Sequence, residues 1–236
     1  MKKLILLLLL CSFGKINQAQ SFITFYMPGY QVSGFHAQNI RYNNSMRGDF
    51  HGKINNIIFK GDGIANHFVC GMDVSLVLQS LLHGFKAGGS YYGAAFDVRM
   101  GYADNIGNSK IGLAVDAGAR GIQYEKDTLS MSGYSYYVMG GTMVGLINIG
   151  DAIYVMPKLS IDPMFNDHTD KTVDGLATKF EISAGIRFAG NLGFSITPGF
   201  ERMKFNYEDD SSGETTIKDS FIKTKFLQFG LSFMFD

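Results

Sequence analysis

Hydrophobic and polar residues alternate along much of the chain, and the pattern is clearest in its last ten residues. Large apolar side chains stand there at every second position, with small or polar residues mostly between them: Leu227, Phe229, Leu231, Phe233 and Phe235. Side chains two residues apart on a β-strand point to the same face. This segment therefore predicts a strand with one continuous apolar face.

Similar alternation recurs from about residue 64 onward and predicts eight strands of about 12 to 16 residues each, longer than the usual 5–6 of soluble sheets. We assign them to 65–79, 90–103, 109–124, 133–148, 152–163, 175–188, 192–207 and 220–235. Strands that cross a membrane in a tilted barrel need about 9–11 residues. The pattern predicts an all-β fold, an antiparallel up-and-down transmembrane β-barrel.

The connections between these strands alternate in length. The stretches 104–108, 148–151 and 189–191 are short and turn-like, whereas 80–89, 125–132, 164–174 and 208–219 are longer and mostly more polar. Outer-membrane barrels have short periplasmic turns and longer outer loops, so this asymmetry favours a barrel over a soluble sandwich.

The segment before residue 64 leaves two alternatives open. Residues 22–32 and 53–60 are candidate strands, and Gly61-Asp62-Gly63 is a turn signal. If both candidates are strands, the barrel has ten and 33–51 becomes its longest outer loop. If neither is, the barrel has eight and 20–63 is an extension or plug. Ten is favoured, because the turn lengths then fit without adjustment.

Charged residues collect on the face of these strands that opposes the apolar one. The set is nearly balanced in sign: Asp73, Asp97, Arg99, Asp116, Arg120, Lys158, Asp162, Lys179, Glu181, Arg187 and Glu201. A lysine or arginine that points into lipid at mid-bilayer costs about 2–4 kcal/mol. We therefore interpret these residues as an internal network of ion pairs that fills the barrel lumen.

The N-terminus has the layout of a cleaved signal peptide over residues 1–19, with Lys2 and Lys3 before the apolar run from Leu4 to Leu10. Residues 20–236 would then form one barrel domain, with Cys70 as the remaining cysteine and no intrachain disulfide. The formal net charge is +0 without a basic block, so nucleic acid is not an expected partner.

The alternating C-terminal segment resembles the closing strand of bacterial outer-membrane β-barrels, in which an aromatic residue near the C-terminus is read by the assembly machinery. The chain is similar to the small barrels of the "porin family" over about residues 64–235 and only weakly before them, and Asp236 follows the last aromatic here. The resemblance implies a location in the outer membrane. It also implies contact with membrane lipid and lipopolysaccharide, and assembly by the outer-membrane machinery.

Enzymatic signatures of small barrels are weak in this sequence. Asp167-His168 and Asp209-Asp210 fall in predicted outer loops, as the acidic residues of omptin-type proteases do, but adjacent strand residues point to opposite faces. The His-x-Ser pattern of barrel lipid A deacylases does not occur, and the five histidines are dispersed. We expect no catalytic residues, metal site or cofactor.

The adhesive tripeptide Arg47-Gly48-Asp49 falls in the predicted 33–51 loop and is a candidate surface motif of low specificity. The leading hypothesis is a non-enzymatic barrel with a side-chain-filled lumen and a structural or surface-interaction role, with an unknown protein partner at its outer loops. The alternatives are a narrow porin-like channel for ions or small solutes, an accessory component of a secretion or assembly complex, and a rim enzyme.

Overall fold

A computed structural model describes residues 22–42, 46–77, 90–107, 109–126, 129–150, 152–168, 171–209 and 215–235. These residues form ten strands: β1 (Phe22–Tyr42), β2 (Met46–Ala65), β3 (Phe68–Val77), β4 (Ser90–Ile106), β5 (Ser109–Lys126), β6 (Leu129–Ile149), β7 (Ile153–His168), β8 (Lys171–Ala189), β9 (Leu192–Asp209) and β10 (Thr215–Phe235). No helix in the described part of the chain is long and apolar enough to cross a membrane.

Every strand pairs antiparallel with its neighbours in the chain, and β1 pairs with β10 to close the barrel. The prediction of an antiparallel barrel is confirmed, and ten is the strand number. In β1 the pairing register shifts between Tyr26 and Gly29 on both sides. Pro28 lies in this bulge, where the missing N–H of proline is tolerated.

Four tight connections lie at one end of the barrel, and each contains a residue with positive φ: Asn66, Gly107, Gly150 and Gly190. We call this the short-turn end. Three of these turns were predicted, but the fourth was placed wrongly at Gly61-Asp62-Gly63. Those residues lie inside β2, paired with β1 and β3, and the chain turns instead at Asn66 and His67.

The strands extend further towards the opposite end than the sequence predicts. Residues 33–42 and 46–51 belong to β1 and β2, so the prediction of a long outer loop over 33–51 is wrong. The predicted loops 125–132, 164–174 and 208–219 are likewise largely taken up by strands, and 80–89 lies outside the described residues. The predicted signal peptide lies outside them as well.

The wall of the barrel separates two kinds of surface. On β5, Ile111, Leu113 and Val115 point outward and are 44%, 71% and 63% exposed, while the alternate positions are buried in the lumen. On β6, whose alternation is weak in the sequence, Tyr137 and Met139 point outward and Val138 inward. A belt of exposed large hydrophobic side chains therefore surrounds a lumen that contains the core.

Candidate functional site in the barrel lumen

The lumen is filled by three layers of side chains. The lower cluster, at the short-turn end, is apolar and comprises Ile64, Val69, Ala103, Ala114, Val144, Leu146, Tyr154, Met156 and Met234. The upper cluster, at the other end, is also apolar and comprises Phe35, Ala37, Val77, Tyr136, Val138, Met164, Val173, Ala177, Met203, Phe205 and Ile222. Between them lies the charged layer: Lys60, Asp62, Asp73, Asp97, Arg99, Asp116, Arg120, Lys158, Asp162, Lys179, Glu181 and Glu201.

Arg99 is the centre of the charged layer. Its guanidinium contacts three carboxylates from three different strands: it donates to Asp73 Oδ2 at 2.8 Å, to Asp116 Oδ1 at 3.3 Å and to Asp62. The geometry uses the forked donor arrangement of arginine, which can serve several acceptors at once. Gly71 provides the necessary space, because a Cβ atom there would lie 2.7 Å from Arg99 Cγ.

Three lysines continue the network towards β8. Lys60 Nζ donates to Glu181 Oε1 at 2.7 Å, and Lys158 Nζ donates to Asp62 Oδ2 at 2.5 Å and also pairs with Glu181. Lys179 Nζ lies 3.4 Å from Asp73 Oδ2 and 3.3 Å from Glu181 Oε2. These contacts join the lysines to the carboxylates around Arg99 in one connected group.

A second group lies beside the first. Arg120 pairs with Asp97 Oδ2 at 3.0 Å and with Glu201, and so links β5 to both β4 and β9. Both groups consist of buried charges that have opposite charges as partners, which is the condition under which charges persist in a protein interior.

Asp162 is the acidic member of the layer that has no ion pair among the described residues. It is 2% exposed, and its Oδ1 atom has no hydrogen-bond partner there. Nearby, Thr142 donates to Asp116 and shares a hydrogen bond with Ser160 Oγ at 2.5 Å. Hydroxyl groups therefore complete this side of the layer.

A small set of hydroxyl groups lies next to the lower cluster. The Tyr154 hydroxyl is 2.8 Å from Ser195 Oγ and 3.5 Å from Thr24 Oγ1, and Ser195 donates to Ser232 Oγ at 2.7 Å. These contacts connect β7, β9, β10 and β1 across the lower lumen. The polar groups at this end bond to each other and do not line an open passage.

A cavity of about 140 Å³ lies between the charged layer and the upper cluster. Charged side chains line it on one side, including Asp73, Arg120 and Lys179, and apolar side chains such as Met203 and Phe226 line it on the other. The volume accommodates a few water molecules. It is a pocket within the packed lumen and does not continue through the lower cluster.

The structure places ten of the eleven charges proposed from sequence in the layer. The eleventh, Arg187, lies nearer the short-turn end, where its Nη2 is 3.5 Å from the Met234 carbonyl oxygen. Lys60 and Asp62 belong to the layer although the sequence pattern does not predict them there. The glycines that flank Asp62 were interpreted as a turn, although Ile58, Lys60, Asp62 and Ile64 alternate without interruption.

The C-terminal apolar stripe lies on the outer wall. Leu227, Leu231 and Phe233 are exposed there, and the Phe229 ring packs edge-on against Tyr30 with centroids 5.7 Å apart. Phe235 pairs with Ile23 through the backbone, and its side chain lies outside the described residues. These residues therefore form the seam where β10 meets β1.

The remaining candidate residues lie in strands and not in loops. Arg47, Gly48 and Asp49 belong to β2, where Arg47 pairs with Arg41 and Gly48 with Ile40, so their predicted place at a loop tip is wrong. His168 and Asp209 end β7 and β9. Asp210 lies outside the described residues.

Histidines are brought together in one place. His36 and His51 stack on the outer wall with ring centroids 3.9 Å apart. The described residues contain no group of three His, Cys, Asp or Glu side chains that could hold a metal ion.

No protein-family model and no curated protein matches this chain. Among solved structures, it is similar to the outer-membrane protease OmpT from Escherichia coli, with a TM-score of 0.49 and 11% identity over 95% of this chain and 100% of that one. It is also similar to the toluene transporter TodX from P. putida, with a TM-score of 0.34 and 7% identity over 92% and 90% of the two chains. A third similar structure is the translocator domain of the autotransporter NalP from Neisseria meningitidis. Its TM-score is 0.33, with 8% identity over 99% of this chain and 94% of that one.

Proposed function

We propose that this protein is an integral outer-membrane β-barrel with an occluded lumen and a non-enzymatic, structural or surface-interaction role. The belt of outward apolar side chains supports the membrane location. On β6 it extends from Tyr137 to Ile149, and these twelve steps correspond to about 30 Å of height at about 2.5 Å per residue for a strand tilted by ~40°. The hydrocarbon core of a bilayer is about 30 Å thick.

The packing of the lumen supports the occluded state and is the observation that carries this proposal. The charged side chains that could line a pore, such as Arg99, Arg120 and Glu181, bond to each other across the interior. Apolar clusters cover this layer from both ends. Ions would have to displace ion pairs and apolar side chains to pass through it.

The same packing supports a role without catalysis. A general acid or base must reach a substrate proton within about 3 Å. The buried carboxylates Asp62 and Glu181 instead face lysine and arginine partners below an apolar cover. Recognition of other molecules is then a property of the outer wall and of the connections at the end opposite the short turns.

The seam between β1 and β10 supports a role of the last strand in assembly. Phe233 pairs with Phe25 of β1 and with Leu192 of β9, so β10 joins β1 to the rest of the sheet at the closing contact. Its outward apolar side chains, with the signal peptide predicted over residues 1–19, suit a chain that is exported and then closed into a barrel by the outer-membrane assembly machinery.

The second candidate function is a narrow channel, and the cavity next to Asp73, Arg120 and Lys179 is the observation that favours it. In that case the cavity would be the outer vestibule, and the lower cluster would be a gate. Charged residues at the bottom of the vestibule would select ions by sign.

Planar-bilayer conductance of the refolded protein distinguishes the two functions. We expect a silent bilayer from samples in which the folded barrel is verified by its mobility shift between unheated and boiled gel samples. A variant with Leu146→Ala and Met156→Ala provides a comparison, because it shortens two side chains of the lower cluster and leaves the charged layer in place. Reproducible discrete openings of the unmodified protein would reject the occluded barrel and favour the channel.

A further inference from the structure

The exposed lysine and arginine side chains that the structure describes are confined to one sector of the barrel wall. They are Lys53, Arg202, Lys204, Lys218, Lys223 and Lys225. They belong to β2, β9 and β10, which are contiguous with β1 in the closed sheet. We call this the basic sector.

The strand register aligns two of these cations, Arg202 and Lys223, in one row with two histidines. Lys223 pairs with Arg202 on one side and with His36 on the other, and His36 pairs with His51. Four adjacent strands spaced by about 4.8 Å give the row a length of about 14 Å. Two residues closer to the short-turn end, Lys225 and Lys53 both pair with Gly34 and add two more cations.

The row lies at the upper edge of the apolar belt. Leu227 and Val32, which pair with each other, are exposed apolar residues just below it. Lys223 is ten residues from Phe233 on β10, which corresponds to about 25 Å of height at about 2.5 Å per residue. In a bilayer that covers the belt, the basic sector is at the level of the headgroups in the leaflet away from the short turns.

Three exposed carboxylates among the described residues lie on these strands or next to them: Asp49 on β2, Asp174 on β8 and Asp219 on β10. Lys204 pairs with Asp219 at 2.8 Å, and this hydrogen bond holds the pKa of Asp219 below its usual range. No described residue forms an ion pair with Arg202, Lys223 or Lys225. The Phe221 ring lies 5.1 Å from the Arg202 guanidinium and 5.8 Å from Lys223 Nζ, so one aromatic ring supports both cations.

We propose that the basic sector binds the phosphate groups of a phosphorylated glycolipid of the lipid A type in the outer leaflet. This inference rests on the proposed outer-membrane location. Arginine and lysine at headgroup level attract phosphate, and arginine adds bidentate hydrogen bonds. Arg202 on β9 and Lys53 on β2 place cations three strand steps, or about 14 Å, apart around the wall. This separation suits a headgroup that carries two phosphates better than the single phosphodiester of a glycerophospholipid.

Native mass spectrometry of the refolded barrel in detergent, titrated with bisphosphorylated lipid A, tests the proposal. We expect lipid A to bind to the barrel. We expect no binding of lipid A that has been dephosphorylated with alkaline phosphatase. The double variant Arg202→Gln and Lys223→Gln should weaken binding roughly tenfold or more, since each cation near a membrane surface contributes appreciably. The control Lys218→Gln is compared with the single variant Lys223→Gln, since each removes one charge from β10. Lys218 lies five residues nearer the loop end and outside the row, so its loss should weaken binding less.

Equal affinity of the double variant and the unmodified protein would overturn the proposal, as would equal losses in the single variant Lys223→Gln and the control. Displacement of lipid A by phosphatidylglycerol or by inorganic phosphate at similar concentration would also overturn it, because the sector would then recognise phosphate from any source. Insertion of the barrel into bilayers is measured separately, so a failure of lipid A binding and a failure of the membrane location are distinguishable.

Discussion

At the scale of single residues, Arg99 pairs with three carboxylates, more than any other described cation of the charged layer. Its guanidinium neutralises carboxylates from β2, β3 and β5, namely Asp62, Asp73 and Asp116. Exchange of a complete buried ion pair for apolar residues is often neutral or stabilising. Removal of one partner strongly destabilises the folded protein, because the other charges stay buried without an opposite charge.

We expect Arg99→Ala to lower the free energy of unfolding by about 3–5 kcal/mol, since it leaves buried carboxylates with fewer cationic partners. Urea unfolding of the refolded barrel in detergent micelles measures the change. Lys204→Ala is the control, because it breaks the exposed pair with Asp219 and should leave the unfolding midpoint almost unchanged. Equal midpoints for Arg99→Ala and the unmodified protein would contradict a lumen held by ion pairs.

Sequence alternation predicted most of the charged layer, because every second residue of a strand points into the lumen. It did not predict which charges meet, since Arg120 and Glu201 are 81 residues apart in the chain. It also missed Lys60 and Asp62, because glycines on both sides of Asp62 gave a local turn signal. Cross-strand pairing outweighed that signal, as often happens for glycine at close contacts between strands.

At the scale of a strand, β6 shows how glycine adjusts the wall. Gly140 faces the lumen, and a Cβ atom there would lie 2.2 Å from the Ile161 carbonyl oxygen and 2.5 Å from Asp162 Oδ1. Gly141 faces outward, and the nearest atom to a Cβ atom built there would be the Ala114 carbonyl oxygen, 3.6 Å away. Two adjacent glycines in the same strand therefore have different steric requirements.

Gly140→Ala should destabilise the barrel by about 1–3 kcal/mol, because the added methyl group must displace the backbone of β7. Gly141→Ala is the matched control and should be neutral or slightly stabilising, since alanine restricts the unfolded chain and meets no close neighbour. The two variants are compared by their urea midpoints in micelles. The reverse order of stability would show that the glycine at 141, not 140, is required by the wall.

The strands were predicted well within the apolar belt and poorly beyond it. Side chains above the belt face water on the outside, so polar residues occur at both parities and the alternation fades. This explains why 125–132 and 164–174 were interpreted as loops although β5 to β8 extend into them. The bulge at Pro28 also shifted the parity within β1, which obscured that strand in the sequence.

At the scale of the whole molecule, the two ends of the barrel differ. The short-turn end is closed by hairpins such as Gly107 and Gly150, whereas the strands project well beyond the belt at the other end. In the outer membrane, the short turns should face the periplasm and the projecting strands the cell exterior.

Labelling of intact cells with a membrane-impermeant maleimide checks this orientation. In a Cys70→Ser background, Lys218→Cys should react on intact cells, because residue 218 is exposed near the projecting end of β10. Asn105→Cys, at the end of β4 next to a short turn, should react only after the cells are broken. Labelling of Asn105→Cys alone on intact cells would show the opposite orientation.

The ion pairs of the charged layer join strands that lie far apart around the ring. Lys158 of β7 bonds to Asp62 of β2 on the opposite side, Lys60 of β2 bonds to Glu181 of β8, and Arg120 of β5 bonds to Glu201 of β9. A ring of strands held only by edge-to-edge bonds can flatten into an ellipse under lateral pressure. These contacts span the interior from one side of the ring to the other, so they resist deformation of its circular cross-section.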